Sequence, residues 1–122
     1  MTHGYTILVG AVVLPGAGEP PAEAIAWAFD TVLAIGDEGA VRSISRGDSH
    51  VLQARGGFVV PLADGPGVRW PPVTRLEVGG PPDLAVLDGD PRPTGASGPS
   101  PRTLAVVRGG RIVEGTLREV SP

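Results

Sequence analysis

The side chains best suited to chemistry are few in this chain. It has no cysteine and two histidines, His3 and His50, among 122 residues. A catalytic zinc site needs about three His or carboxylate ligands and an open coordination position. His3 lies near the start of the chain and His50 in a segment with strand character, where a surface histidine is the simpler interpretation. We therefore predict no metal, no cofactor and no catalytic residue.

Two short motifs resemble ion or phosphate sites, but each lacks a required part. Asp88-Gly89-Asp90 resembles the start of a calcium loop, and no bidentate glutamate follows it at the necessary distance. Gly16-Ala17-Gly18 is followed by Pro20-Pro21. These prolines remove backbone N–H donors where a phosphate loop would need a helix N-terminus. Both motifs are interpreted as structural turns.

The charge pattern argues against nucleic acid and membranes as partners. The formal net charge is −3, the ten basic residues are all arginine, and they form no basic stripe. The apolar run Tyr5–Leu14 is too short to cross a bilayer and has no basic region before it. We expect a cytoplasmic protein.

The elements that must position these residues are short strands. The 19 glycines and 14 prolines cluster between apolar runs, as turns require. The pattern predicts a sandwich or barrel-like all-β fold of about eight short strands. It also predicts one helix, Glu38–Ser45, with Asp37 as its N-cap. The predicted strands are Tyr5–Val13, Ala24–Phe29, Val32–Gly36 (after an Asp30-Thr31 turn), Ser49–Ala54, Phe58–Pro61, Arg75–Val78, Asp83–Leu87, and a Thr103–Arg108/Arg111–Glu114 hairpin.

Six short stretches follow one another in a characteristic order: Val32–Gly36, Ala54–Gly57, Phe58–Pro61, Leu76–Gly79, Asp83–Asp88 and Val106–Val113. Their order resembles the composite β-sandwich domain of the amidohydrolase superfamily of metal-dependent hydrolases, the relatives of imidazolonepropionase, dihydroorotase and cytosine deaminase. The resemblance implies an all-β sandwich built from an N-terminal and a C-terminal segment.

The catalytic part of those enzymes is missing from this sequence. They place a (β/α)₈ barrel between the two segments, and its first strand delivers a His-x-His motif to the metal. Here residues 62–73 follow Pro61 and contain no histidine, and a barrel needs roughly 200 residues. The resemblance therefore implies one composite-type domain over residues 1–122. Residues 1–61 and 74–122 would form it, joined by the linker 62–73.

These observations favour a non-catalytic, stand-alone structural or protein-binding module. The alternative is an accessory chain of a hydrolase that acts on non-peptide carbon–nitrogen bonds, with the barrel supplied by another protein. A third hypothesis, acid–base chemistry by convergent carboxylates, needs a spatial arrangement that a sequence does not show. We expect the linker and a second copy, in a C₂ dimer, to cover the face that a barrel would cover. The candidate interaction surface is Leu62, Val68 and Trp70.

Overall fold

The computed structural model describes residues 5–16, 18–44, 49–62, 74–91 and 101–120. Within these ranges the chain is an all-β sandwich with one short helix, α1 (Glu38–Arg42). The strands are β1 (Thr6–Val9), β2 (Val12–Val13), β3 (Ala24–Ala28), β4 (Thr31–Gly36), β5 (His50–Gln53), β6 (Phe58–Pro61), β7 (Leu84–Leu87), β8 (Thr103–Arg108), β9 (Arg111–Gly115) and β10 (Arg118–Val120). The first sheet has the order β10-β5-β1-β3-β4 and the second the order β2-β6-β7-β8-β9.

The chain crosses from the first sheet to the second at two neighbouring places. β1 lies parallel to β5 in the first sheet, and β2 lies parallel to β6 in the second. Between them, the Gly56 N–H donates to the Gly10 carbonyl at 2.6 Å and the Val12 N–H to the Gly57 carbonyl at 2.9 Å. The two crossings therefore bend side by side and stay hydrogen-bonded to each other. We call this bend, formed by residues 10–12 and 54–57, the corner.

This corner corrects the predicted strand Tyr5–Val13. The strand ends at Val9 because Gly10 has a φ of +66°, a left-handed conformation that interrupts an extended chain. The residues beyond it, Val12 and Val13, belong to the other sheet. One continuous apolar run thus contributes a strand to each of the two sheets.

Two other local predictions need correction. The β3–β4 turn consists of Phe29 and Asp30 rather than Asp30 and Thr31, because a register shift at Trp27 brings Ala28 opposite Thr31. The helix α1 begins where predicted, with the Asp37 side chain accepting a hydrogen bond from the Ala40 N–H at 2.7 Å. It ends at Arg42, three residues short of the predicted end.

The stretch Arg75–Val78 was predicted as a strand and is not one. The Leu76 N–H donates to the Pro15 carbonyl at 2.8 Å, and the chain then turns at Val78 and Gly79. The buried Leu76 side chain explains the strand-like apolar pattern without a strand. Conversely, the three-residue β10 was not predicted, and it pairs with β5. The β8–β9 hairpin with its Gly109-Gly110 turn is confirmed.

The largest hydrophobic cluster lies between the two sheets, and Trp27 is its largest member, at 1% exposure. The Trp27 indole N–H donates to the Gly110 carbonyl at 3.0 Å, so this side chain also joins β3 to the β8–β9 turn. A second cluster lies between the first sheet and Val41 of α1. Among the described residues, no helix is long and apolar enough to span a membrane.

The β8–β9 turn supplies a test of this close approach between sheets. Gly109 and Gly110 both have positive φ, but only at Gly110 would a Cβ overlap with the Phe29 carbonyl. Placing an alanine in the left-handed region costs about 1–2 kcal/mol, and we expect Gly109→Ala to lower the free energy of unfolding by that amount. Gly110→Ala should cost about 1–3 kcal/mol more because the backbones must separate.

Urea denaturation of the two variants measures this difference. Gly109→Ala is the matched control, because nothing lies within 4 Å of the Cβ it would add. Equal stability of the two variants would contradict the close contact between the turns.

Candidate functional site

The structure describes His50 and Asp88, two of the residues considered for chemistry, and places both in backbone hydrogen bonding. His50 is half-buried in β5, and its backbone N–H donates to the Tyr5 carbonyl at 2.8 Å. His3 lies outside the described residues. Within the described ranges, no three His, Asp or Glu side chains are grouped so that they could hold a metal ion.

Asp88 has a structural role in the backbone pairing with Arg102. Its side-chain oxygen accepts a hydrogen bond from the Arg102 N–H at 2.7 Å, and its own N–H donates to the Arg102 carbonyl at 2.9 Å. These two bonds hold the chain before and after residues 92–100 together. They support the structural interpretation of the Asp88-Gly89-Asp90 motif.

The predicted interaction surface is only partly within the described residues. Leu62 is described and is buried at 7% exposure, in a cluster with Val60 and Leu87 on the outer face of the second sheet. Its carbonyl accepts a hydrogen bond from the Thr74 hydroxyl at 2.9 Å. A role of Leu62 in an interaction stays a prediction. Val68 and Trp70 lie outside the described residues, so their role stays a prediction.

The outer face of the second sheet carries a cluster of apolar side chains. Val60, Ala85, Leu87 and Val106 are each at most 8% exposed, and Val12 and Phe58 pack against them partly buried. The expectation that a second copy covers the face a barrel would cover stays a prediction.

Three turns meet at one end of the sandwich. The turn at Val78–Gly80 lies beside β4, where the Val32 N–H donates to the Gly80 carbonyl at 2.8 Å and the Gly79 N–H to the Val32 carbonyl at 2.9 Å. The Gly109 N–H donates to the Asp83 carboxylate at 2.7 Å, which joins the β8–β9 turn to the same segment. The Phe29-Asp30 turn lies against Gly110.

Phe29 and Val78 project from these turns into solvent, at 65% and 63% exposure. We call these two side chains the turn-end surface. The other large apolar side chains that are exposed in the described ranges lie on the β8–β9 hairpin: Leu104, Ile112 and Val113. Exposed apolar groups are thus concentrated on the three turns and this hairpin, and not on the remaining strands.

Phe29 combines exposure with an unfavourable backbone conformation. Its φ is +55°, where a bulky side chain is uncommon because Cβ approaches the backbone carbonyl. Glycine or asparagine usually occupies such a turn position. Sequence reasoning missed this residue because both faces of β3 are buried, so no alternation marks where burial stops.

The interior offers little means of tuning acid–base groups. Within the described ranges no polar or charged residue is buried, and no buried side-chain nitrogen or oxygen lacks a hydrogen-bond partner. Burial and convergent charges are the means by which proteins adapt carboxylates for catalysis. The described residues therefore include no buried carboxylate or histidine of that kind.

Comparisons with known proteins add little to this picture. No protein-family model matches the chain, and no curated protein matches it. Among solved structures, the crystal structure of enamidase, a member of the amidohydrolase superfamily, is 26% identical over the aligned part, with a TM-score of 0.40. That alignment covers 48% of this chain and 16% of the enamidase chain. The structural similarity is weak and partial, and at this TM-score it supports no conclusion about fold or activity.

Proposed function

We propose that this chain is a non-catalytic module that binds another protein through the turn-end surface. The observation that carries the proposal is Phe29, a large aromatic side chain at 65% exposure in a left-handed backbone conformation. Neither property stabilises the fold, since the ring is hydrated and the backbone is strained. Contact with a partner would bury the ring and give its presence a physical reason.

The surroundings of Phe29 match the usual composition of a binding site. Aromatic side chains dominate the energetic centres of protein interfaces, and a polar rim surrounds them. Here Val78 supplies a second exposed apolar group. Each of the two apolar residues has an exposed acidic neighbour in the chain, since Asp30 follows Phe29 and Glu77 precedes Val78. The backbone hydrogen bonds of Val32 to Gly79 and Gly80 fix one turn in place before a partner binds.

The alternative function is an accessory chain of a hydrolase of non-peptide carbon–nitrogen bonds. The observation that favours it is the order of the matching motifs before residue 62 and after residue 73, with the linker in place of a barrel. In this case the partner would be a separate barrel protein with its own His-x-His metal ligands. The two proposals therefore differ in the identity of the bound protein.

The first test concerns stability. Phe29→Asn should leave the free energy of unfolding unchanged or raise it by up to about 1 kcal/mol, because asparagine enters the left-handed region more readily. Urea denaturation followed by tryptophan fluorescence measures the effect. A loss of stability greater than about 1 kcal/mol would show that the ring contributes to the fold itself, and Phe29 would then no longer favour a binding role.

The second test concerns the partner. The tagged chain should capture a specific protein from its source cells, and the Phe29→Asn/Val78→Ser variant should lose it. Leu104→Ser is the matched control, since it removes an exposed apolar side chain from the far end of the β8–β9 hairpin. Capture that does not depend on Phe29 and Val78 would reject the turn-end surface. Identification of a histidine-bearing barrel protein by mass spectrometry would establish the alternative.

A further inference from the structure

We propose that a second copy of this chain pairs with β9 as an antiparallel strand, so that the second sheet continues through a twofold axis. This goes beyond the proposed function, because β9 is separate from the turn-end surface and its occupant is the chain itself. The inference rests on the open edge at β9, on the placement of its charges and on its exposed apolar side chains.

Among the strands that the structure describes, β9 is an edge of the second sheet. It pairs with β8 on one side, and no described strand lies on its other side. All five of its residues are exposed. An edge strand offers backbone N–H and C=O groups to any extended chain that can approach it. The backbone of β9 can therefore accept another strand.

The charged residues of β9 lie on one face of the sheet. Arg111 pairs with Arg108, and Glu114 pairs with Val106, which lies on the outer face. A register shift near Val113 inserts one extra residue, so Arg111 and Glu114 share the outer face although they are three positions apart. In a regular strand, residues three apart would lie on opposite faces.

This placement makes β9 complementary to itself. A twofold axis perpendicular to the sheet keeps each residue on its own face, so only residues of the same face can lie opposite each other. In the antiparallel register centred between Ile112 and Val113, Arg111 lies opposite Glu114 of the second copy, and Glu114 lies opposite its Arg111. In each copy two residues, Ile112 and Val113, separate Arg111 from Glu114. Ile112 of one copy therefore lies opposite Val113 of the other.

The second copy would also neutralise an unfavourable contact within one chain. Arg108 and Arg111 lie directly opposite each other, and like charges in that position destabilise a strand pair. Neither arginine, nor Glu114, forms an ion pair in the part of the chain that the structure describes. Glu114 of a second copy would lie opposite Arg111 on the outer face, so the arginine pair would gain a carboxylate on its β9 side.

The apolar side chains between the charges support the same arrangement. Ile112 and Val113 are 41% and 54% exposed, and cross-strand contacts between β-branched residues stabilise strand pairs. The β9 residues include no lysine or proline, two of the residues with which edge strands avoid association. The bulge, which discourages a regular partner strand, is compatible with an identical one.

Charge reversal tests this pairing. Sedimentation velocity should show a dimer at micromolar concentration for the unaltered chain. Arg111→Glu or Glu114→Arg alone places like charges opposite each other twice per dimer and should weaken dimerisation by about tenfold or more. The double variant Arg111→Glu/Glu114→Arg restores both opposite-charge pairs and should restore the dimer.

Controls separate this inference from the proposed function. Arg55→Glu reverses an exposed charge in the corner between the sheets and should leave the dimer intact, and circular dichroism checks that each variant is folded. Phe29→Asn should also leave the dimer intact. A monomer at all concentrations, or a double variant that fails to dimerise, would overturn the β9 pairing and leave the turn-end proposal standing. Loss of the dimer in Phe29→Asn would place self-association on the turn-end surface and would also overturn the pairing.

Discussion

The corner between the two sheets is the constraint on which the rest of the sandwich depends. β1 and β5 leave the first sheet together, and β2 and β6 enter the second sheet together, with hydrogen bonds retained between Gly10 and Gly56 and between Val12 and Gly57. β7 pairs with β6, and β8 and β9 follow in order. Without the paired crossing, the second sheet would lose the strands on which its C-terminal part is assembled.

Contacts between distant parts of the chain then close the sandwich. The Trp27 indole donates to the Gly110 carbonyl 83 positions away. Residues 5–62 and 74–120 each contribute strands to both sheets, since β10 pairs with β5 and β7 pairs with β6. A core shared in this way cannot form in one segment alone, so we expect the two segments to fold in a single cooperative transition.

The features of this protein that folding does not explain lie on its surface and not in its interior. Among the described residues, no polar or charged residue is buried, and the turn at Val78–Gly80 is held by backbone hydrogen bonds to Val32. What remains unexplained by folding is at the periphery, in the strained and exposed Phe29 and in the open, charge-patterned β9. Features that do not stabilise the fold are the ones for which binding supplies a reason.

The sequence by itself determined the features that follow from neighbouring residues. Asp37 caps α1 because its carboxylate reaches an N–H three positions on, and Gly109-Gly110 turns the β8–β9 hairpin because glycine adopts positive φ without strain. Tertiary structure decided the rest. It divided Tyr5–Val13 between two sheets, kept Arg75–Val78 out of any strand and left Phe29 exposed. An apolar run indicates that its side chains will be buried. It does not indicate against which sheet they will pack, because that depends on residues far away in the chain.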